Sequence, residues 1–324
     1  MKTPRLNAWK PLQLTVLLIL LFSLAGGASS PASGRTPPDE QALPTLSPED
    51  SSYQVVRAYY TDRQMVNALA AWLEPWEVHH DKGYLVVGVS PQEAEIMLAL
   101  GFRLEVDQRL TDLANQPLQA LPGQTQGIPG YECYRTVEET FASAQALADA
   151  HPHLASWIDI GDSWEKIDPR AGDGYDLMVL RLTSSKIAAP KPVLFITSAI
   201  HAREYTTAEL ATRFAEYLVN SYNLNADATW LLDYHEIHLL LQSNPDGRKK
   251  AETGASWRKN TNRDYCGDFS DDRGADLNRN FEFEWGCCGG SSPSECAETY
   301  RGPTPASEPE TQAIQNYARS IFAD

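Results

Sequence analysis

Apolar positions change their spacing along the chain, and each change marks a different element. The first run, Leu12 to Ala28, is almost continuously apolar, follows Lys2, Arg5 and Lys10, and ends in the small residues of LAGGASS. Residues 29–52 (SSPASGRTPPDEQALPTLSPEDSS) have no period and read as a flexible linker rich in Pro, Ser and acid. Residues 53–110 then read as a small α+β unit. YQVVRAYY and GYLVVGVS predict strands, and DRQMVNALAAW between them sets Met65, Leu69 and Trp72 at helical spacing. SPQEAEIMLALGF predicts a helix with Ser90 as cap, Pro91 in its first position and acids in its first turn, and RLEVDQRL predicts a last short strand. Periodicity stops again over residues 111–130, where NQPLQALPGQTQGIPG reads as a protease-accessible linker.

From Tyr131 to Asp324 the pattern is that of a second, larger domain. VEETFASAQALADAHP predicts a helix with Val137, Phe141, Ala144 and Ala148 on one face. YDLMVLRLT, PVLFITSAI and HEIHLLLQ predict strands, the second so apolar that it reads as buried on both faces. TTAELATRFAEYLVNSY predicts a helix with Leu210, Phe214, Tyr217 and Leu218 on its apolar side. QSNPDGRKK reads as a turn. The last helix opens on a capping box, Ser307 with Glu310, and carries Ala313, Ile314, Tyr317, Ile321 and Phe322 as one stripe. Strands alternating with helices predict an α/β class, a mixed central sheet with helices on both faces.

Composition narrows the function. The chain has 324 residues, 42% apolar and 22% charged, with a net charge of −16. That balance speaks against a nucleic-acid partner, which favours a basic face. The basic start, short apolar centre and small-residue end over residues 1–28 are the layout of a secretory signal. A membrane anchor is the competing reading, but a span needs about 20 apolar residues, and Gln13, Thr15 and Ser23 interrupt this run. The expectation is a secreted, extracellular protein without stable membrane association. Export permits disulfides among Cys133, Cys266, Cys287, Cys288 and Cys296. Cys287 and Cys288 are adjacent and are not expected to bridge each other; Cys296 can pair with either of them or with Cys266. No C-x-x-C spacing suggests a Cys-ligated zinc.

His201 and Glu204, three apart at the end of a predicted strand, can converge on one metal ion. One H-x-x-E arises easily by chance, so the pair gains meaning only from residues further down the chain. Arg258 lies in SWRKNTNR, and Asp276, Asn278 and Arg279 lie in GADLNRNF. Taken singly, each reads as a solvated polar loop. Asp268, Asp271, Asp272 and Asp276 lack the spacing of a calcium loop and read as a solvated acidic loop, with Asp276 better used behind His201.

Taken together, H-A-R-E, N-P-D-G-R, W-R-K-N, D-L-N-R-N-F, the WGCCGGSS loop and ETYRGPTPASEPET resemble the zinc carboxypeptidases of the carboxypeptidase A type, closest to the secreted bacterial carboxypeptidase T-like enzymes. The resemblance runs from about Gly130 to the end and makes residues 53–110 look like a ferredoxin-like pro-domain. It implies His201 and Glu204 as ligands of one Zn2+, with Arg258 polarising the scissile carbonyl. It further implies Asn278 and Arg279 holding the substrate's terminal carboxylate, Arg203 as a further substrate contact, and Asp276 behind the first His. The implied partners are peptide or protein C-termini and a protease that cuts the pro-segment.

The family's third zinc ligand, a His, and its general-base Glu would follow Asp324, so the expectation is an N-terminal part of a peptidase domain. His235 and His238 sit in a strand pattern, and His79, His80, His151 and His153 read as surface residues. Glu308 and Glu310 read as first-turn acids of the last helix. Two other readings fit the same residues: a short, non-catalytic chain that binds peptide carboxylates or zinc, and a product whose working part is the pro-segment.

Overall fold

The computed structural model describes residues 53–116, 119–267, 270 and 272–322. The leader and linker expected over residues 1–52 lie outside them, as do Asp268 and Asp271 of the acidic loop. Among the described residues no helix is long and apolar enough to cross a membrane.

The first unit runs β1 (Gln54–Tyr59), α1 (Arg63–Ala70), β2 (Glu77–His79), β3 (Tyr84–Val89), α2 (Pro91–Ala99), β4 (Arg103–Val106), α3 (Gln108–Ala114). The strand order is β2-β3-β1-β4, and every pairing is antiparallel. This is the ferredoxin-like βαββαβ arrangement. Alternating residues of the strands, Val56, Ala58, Leu85 and Val87, bury one sheet face against Leu69 and Met97 of the two helices. The cap of α2 forms as the sequence requires: Glu93 N donates to Ser90 Oγ at 3.3 Å, and Ser90 N to Glu93 Oε2 at 2.7 Å. RLEVDQRL is not one strand. Asp107 accepts from Leu110 N at 3.1 Å, and this cap turns the chain into α3.

The second unit contains α4 (Val137–Ala150), β5 (Ala155–Asp162), α5 (Trp164–Ile167), β6 (Asp176–Leu182), β7 (Val193–Thr197), α6 (Tyr205–Asn220), α7 (Ala226–Tyr234), β8 (Glu236–Leu240), α8 (Pro245–Ala251), α9 (Leu277–Asn280) and α10 (Pro309–Ile321). The sheet order is β5-β6-β8-β7, with β7 and β8 parallel and the other pairs antiparallel. Leu147 of α4, Ala215 and Leu218 of α6 and Leu232 of α7 cover one face through Leu180, Leu182 and Leu239. Ile314 and Tyr317 of α10 cover the other with Val179, Leu240 and Phe195. The mixed sheet with helices on both faces is as the alternating pattern predicts.

Several local expectations are corrected. β7 is an edge strand among the described residues, and Leu194 is 50% exposed, so its apolar run does not mean burial on both faces. The buried side of α6 is its small residues, Ala208, Ala211 and Ala215, with Leu218; Leu210 and Tyr217 are exposed, because close approach to the sheet selects small side chains. NPDGR opens a helix rather than a turn: Asn244 Oδ1 accepts from Gly247 N at 3.1 Å and caps α8. The capping box of α10 does not form. Glu308 takes the cap position without a side-chain cap bond, and Glu310 is drawn into the protein to accept from Trp164 N at 2.9 Å. Glu308 and Glu310 are both fully buried. Cys287 and Cys288 bridge each other, contrary to the expectation from adjacency, in a loop where Cys288 and the following glycines adopt positive φ. Cys266 pairs with Cys296, and Cys133 is free and exposed.

Candidate metal and carboxylate site

The site is built at the carboxyl end of β7. The chain leaves the strand through Ala199, a buried residue with φ of 53°, a conformation that costs a non-glycine residue energy. Thr207 Oγ1 accepts from Ala199 N at 2.9 Å and steadies that turn. His201 comes next but one, 6% exposed. Glu204 occupies the cap position of α6, but its carboxylate makes no cap bond and is turned back toward His201. His201 Nδ1 and Glu204 Oε1 are 2.7 Å apart.

On its other side His201 meets Asp276, with Nε2 at 3.4 Å from Oδ1. Asp276 is fully buried and joins every part of the site. Its Oδ2 accepts from Arg258 Nε at 3.1 Å and Nη2 at 2.8 Å. Its Oδ1 accepts from Asn278 N at 2.9 Å, capping α9, the short helix that carries Asn278 and Arg279. Burial alone would raise the Asp276 pKa, but the His201 hydrogen bond and the Arg258 charge hold it down, at about 2. Burial likewise opposes charge on His201, yet Asp276 and Glu204 together raise its pKa to about 9. Two carboxylates around one imidazole form a site that favours a cation.

The loop carrying Arg258 is fixed to the loop carrying Asp276 through Asn260. Asn260 Oδ1 accepts from Ala275 N at 2.8 Å, and Asn260 Nδ2 donates to Glu308 Oε2 at 2.8 Å and Glu310 Oε2 at 3.2 Å. Gly274 is required here: its φ is +91°, and a Cβ would collide with the Asn260 carbonyl. Arg279 is half-buried, donating from Nε to Gly290 O at 2.6 Å.

His201, Glu204, Asp276, Arg258 and the Asn278–Arg279 pair thus form one linked constellation. Arg203 stands apart on another partner: its Nη1 donates to Glu298 Oε1 at 2.5 Å. A nitrogen and a carboxylate oxygen that face each other, with a further carboxylate behind the imidazole, match the donor set zinc accepts. Among the described residues no third His, Cys, Asp or Glu joins His201 and Glu204 within ligand range. His238 is no candidate. It is buried in β8, with Nδ1 at 2.7 Å from Tyr317 OH.

Three features are not legible in the sequence. Glu74, in the loop after α1, pairs with Arg258 Nη1. Glu298 accepts from Glu74 N at 2.9 Å as well as from Arg203. Glu308, Glu310 and Asp246 are buried acids rather than surface ones. No periodicity marks an acid buried by tertiary packing, and the Pro309 after Glu308 gives the opposite cue, a solvated helix start.

Comparisons with known proteins point the same way as this geometry. A family model described as zinc carboxypeptidase matches residues 140–323. Carboxypeptidase A1 of Rattus norvegicus is 30% identical over 223 residues, covering 67% of this chain and 49% of that protein. A zinc carboxypeptidase of Saccharothrix mutabilis subsp. capreolus is 28% identical over 279 residues, covering 83% of this chain and 58% of that protein. Carboxypeptidase B2 of Homo sapiens is 32% identical over 193 residues, 58% of this chain and 42% of that protein. The chain spans about half the length of the curated relatives it matches. Among solved structures, carboxypeptidase A from Helicoverpa armigera superposes with a TM-score of 0.67 at 24% identity, over 84% of this chain and 67% of that one, a likeness of fold.

Proposed function

Since the chain belongs to the zinc carboxypeptidase family, we propose that it acts in a secreted zymogen that removes one residue from the C-terminus of peptides and proteins. The observation that carries this reading is the Asp276 hub, which ties His201, Arg258 and α9 into one site. His201 Nδ1 and Glu204 would hold the zinc, with Nε2–H directed to Asp276 so that Nδ1 keeps its lone pair free. When bound, the zinc supplies Lewis-acid polarisation and an activated water.

Arg258 donates to the carbonyl under attack and to the oxyanion that develops there. A donor of this kind is worth about 3–4 kcal/mol. Arg279 and Asn278 hold the free carboxylate, a task suited to a guanidinium because two parallel N–H groups match two oxygens. Arg203 contacts the substrate further along. The WGCCGGSS loop supports a carboxypeptidase T-like subtype.

Zymogen control is supported by Glu74. Its carboxylate holds the Arg258 guanidinium that the reaction needs, so the first unit blocks the site while it stays attached. Cleavage within residues 111–130 would release it. The basic, apolar and small-residue order of residues 1–28 supports secretion. Two ligands without a third among the described residues support a second reading, a chain that binds zinc or peptide carboxylates without catalysis.

The test is metal content and turnover together. The purified protein should bind one zinc, His201→Ala should lose it, and the loaded protein should release single C-terminal residues once cleavage within 111–130 has removed the first unit. Full zinc occupancy in His201→Ala would remove that residue from the ligand set. Stoichiometric zinc with no release would favour the second reading.

A further inference from the structure

We propose that Glu298 reads the substrate: its carboxylate accepts a backbone N–H of the bound peptide upstream of the bond to be cut, and residue 74 fills that place in the uncleaved chain. This rests on the carboxypeptidase reading above. Residue 74 engages two groups at once. Its N–H donates to Glu298 Oε2 at 2.9 Å while its carboxylate pairs with Arg258. A peptide that places a carbonyl oxygen at Arg258 brings a neighbouring backbone N–H within reach of the same acceptor.

Glu298 is held in place without the first unit. Lys259 Nζ donates to the carbonyls of Glu295 and Ala297, each at 3.0 Å, on either side of Cys296, which is bridged to Cys266. Ser292 N donates to Thr299 O at 3.0 Å. The other carboxylate oxygen, Oε1, accepts from Arg203 Nη1, which orients the carboxylate. Release of the first unit takes the Glu74 N–H from Oε2 and leaves that oxygen open to a new donor, which a peptide N–H supplies. Arg203 is then a positioning residue for Glu298 as well as a rim contact.

The probe is an N-acetylated pentapeptide with a free C-terminal carboxylate, bound to the zinc-loaded full chain. Backbone amides upstream of the scissile bond are replaced by esters one at a time. Hydrogen exchange at the Glu74 amide is followed in parallel. The expected result is that one ester analogue binds about tenfold more weakly to the wild type, as loss of a hydrogen bond to a charged acceptor requires. The same analogue should match the parent on Glu298→Ala and show a smaller loss on Glu298→Gln, which keeps the side-chain shape. The parent peptide should also speed exchange of the Glu74 amide, because both compete for Oε2. Equal ester losses in wild type and both variants, or no ester effect while the parent binds, would overturn the role of Glu298. A C-terminally amidated peptide separates this from the underlying reading. If it binds as well as the acid, carboxylate recognition by Arg279 fails, and the proposal fails with it.

Discussion

Glu310→Gln should remove a stability loss that the wild type suffers as pH rises. Glu310 is fully buried at the start of α10. It accepts from Trp164 N at 2.9 Å and from Asn260 Nδ2 at 3.2 Å. Burial, then the nearby charges of Asp246 and Glu308, push its pKa from 4.5 to about 8. An acid whose folded pKa lies above its unfolded value binds its proton more tightly when folded. Its contribution is therefore intact below about pH 4.5 and is lost as pH rises toward 8, beyond which it is flat. At about 1.4 kcal/mol per pH unit, the loss across that window reaches about 5 kcal/mol. Asp246, raised to about 7 chiefly by burial, acts in the same direction. The Asp246 charge raises the Glu310 pKa, so the two effects do not add in full. Urea denaturation followed by tryptophan fluorescence at pH 5, 7 and 9 measures this. Wild type and Glu310→Gln should be nearly equal at pH 5, and the variant should be more stable by about 3–5 kcal/mol at pH 9. Parallel stability curves for the two proteins from pH 5 to 9 would show that Glu310 does not hold its proton in the folded state.

Other outcomes are as specific. Asp276→Asn should weaken zinc binding about 10–100-fold, read by competition with a chelator, because the His201 tautomer loses its fixing partner. Arg279→Lys in the active enzyme should raise KM with little change in kcat, since Lys cannot copy the paired hydrogen bonds; unchanged KM and kcat would sink the carboxylate role. N-terminal sequencing of the processed protein should place the cut within 111–130, where residues 119–123 are exposed beyond the end of α3. A cut inside 53–110 would refute that assignment.

Element order is legible in the chain alone, because hydrophobic period and cap chemistry are local. Ser90 with Glu93 and Thr136 with Glu139 start their helices as the residue types require. The sequence also singles out His201, Glu204, Arg258, Asp276, Asn278 and Arg279, whose spacing within separate motifs makes the family resemblance specific. It does not supply the set of partners. Asp276 bridges His201 and Arg258 across 75 and 18 residues of chain, a connection made only when the loops fold onto the sheet. Glu74 and Glu298 gain roles because the first unit lies against the second, and nothing local to an acid shows which distant arginine it will meet. The same holds for burial. Leu194 and Leu210 are apolar and exposed, whereas Glu308 and Glu310 are acidic and fully enclosed. Burial depends on which faces the tertiary packing covers. Hydrophobicity biases that choice, and the hydrogen bonds available inside, here from Asn260, Asn262 and Trp164, decide where a polar group can be accommodated.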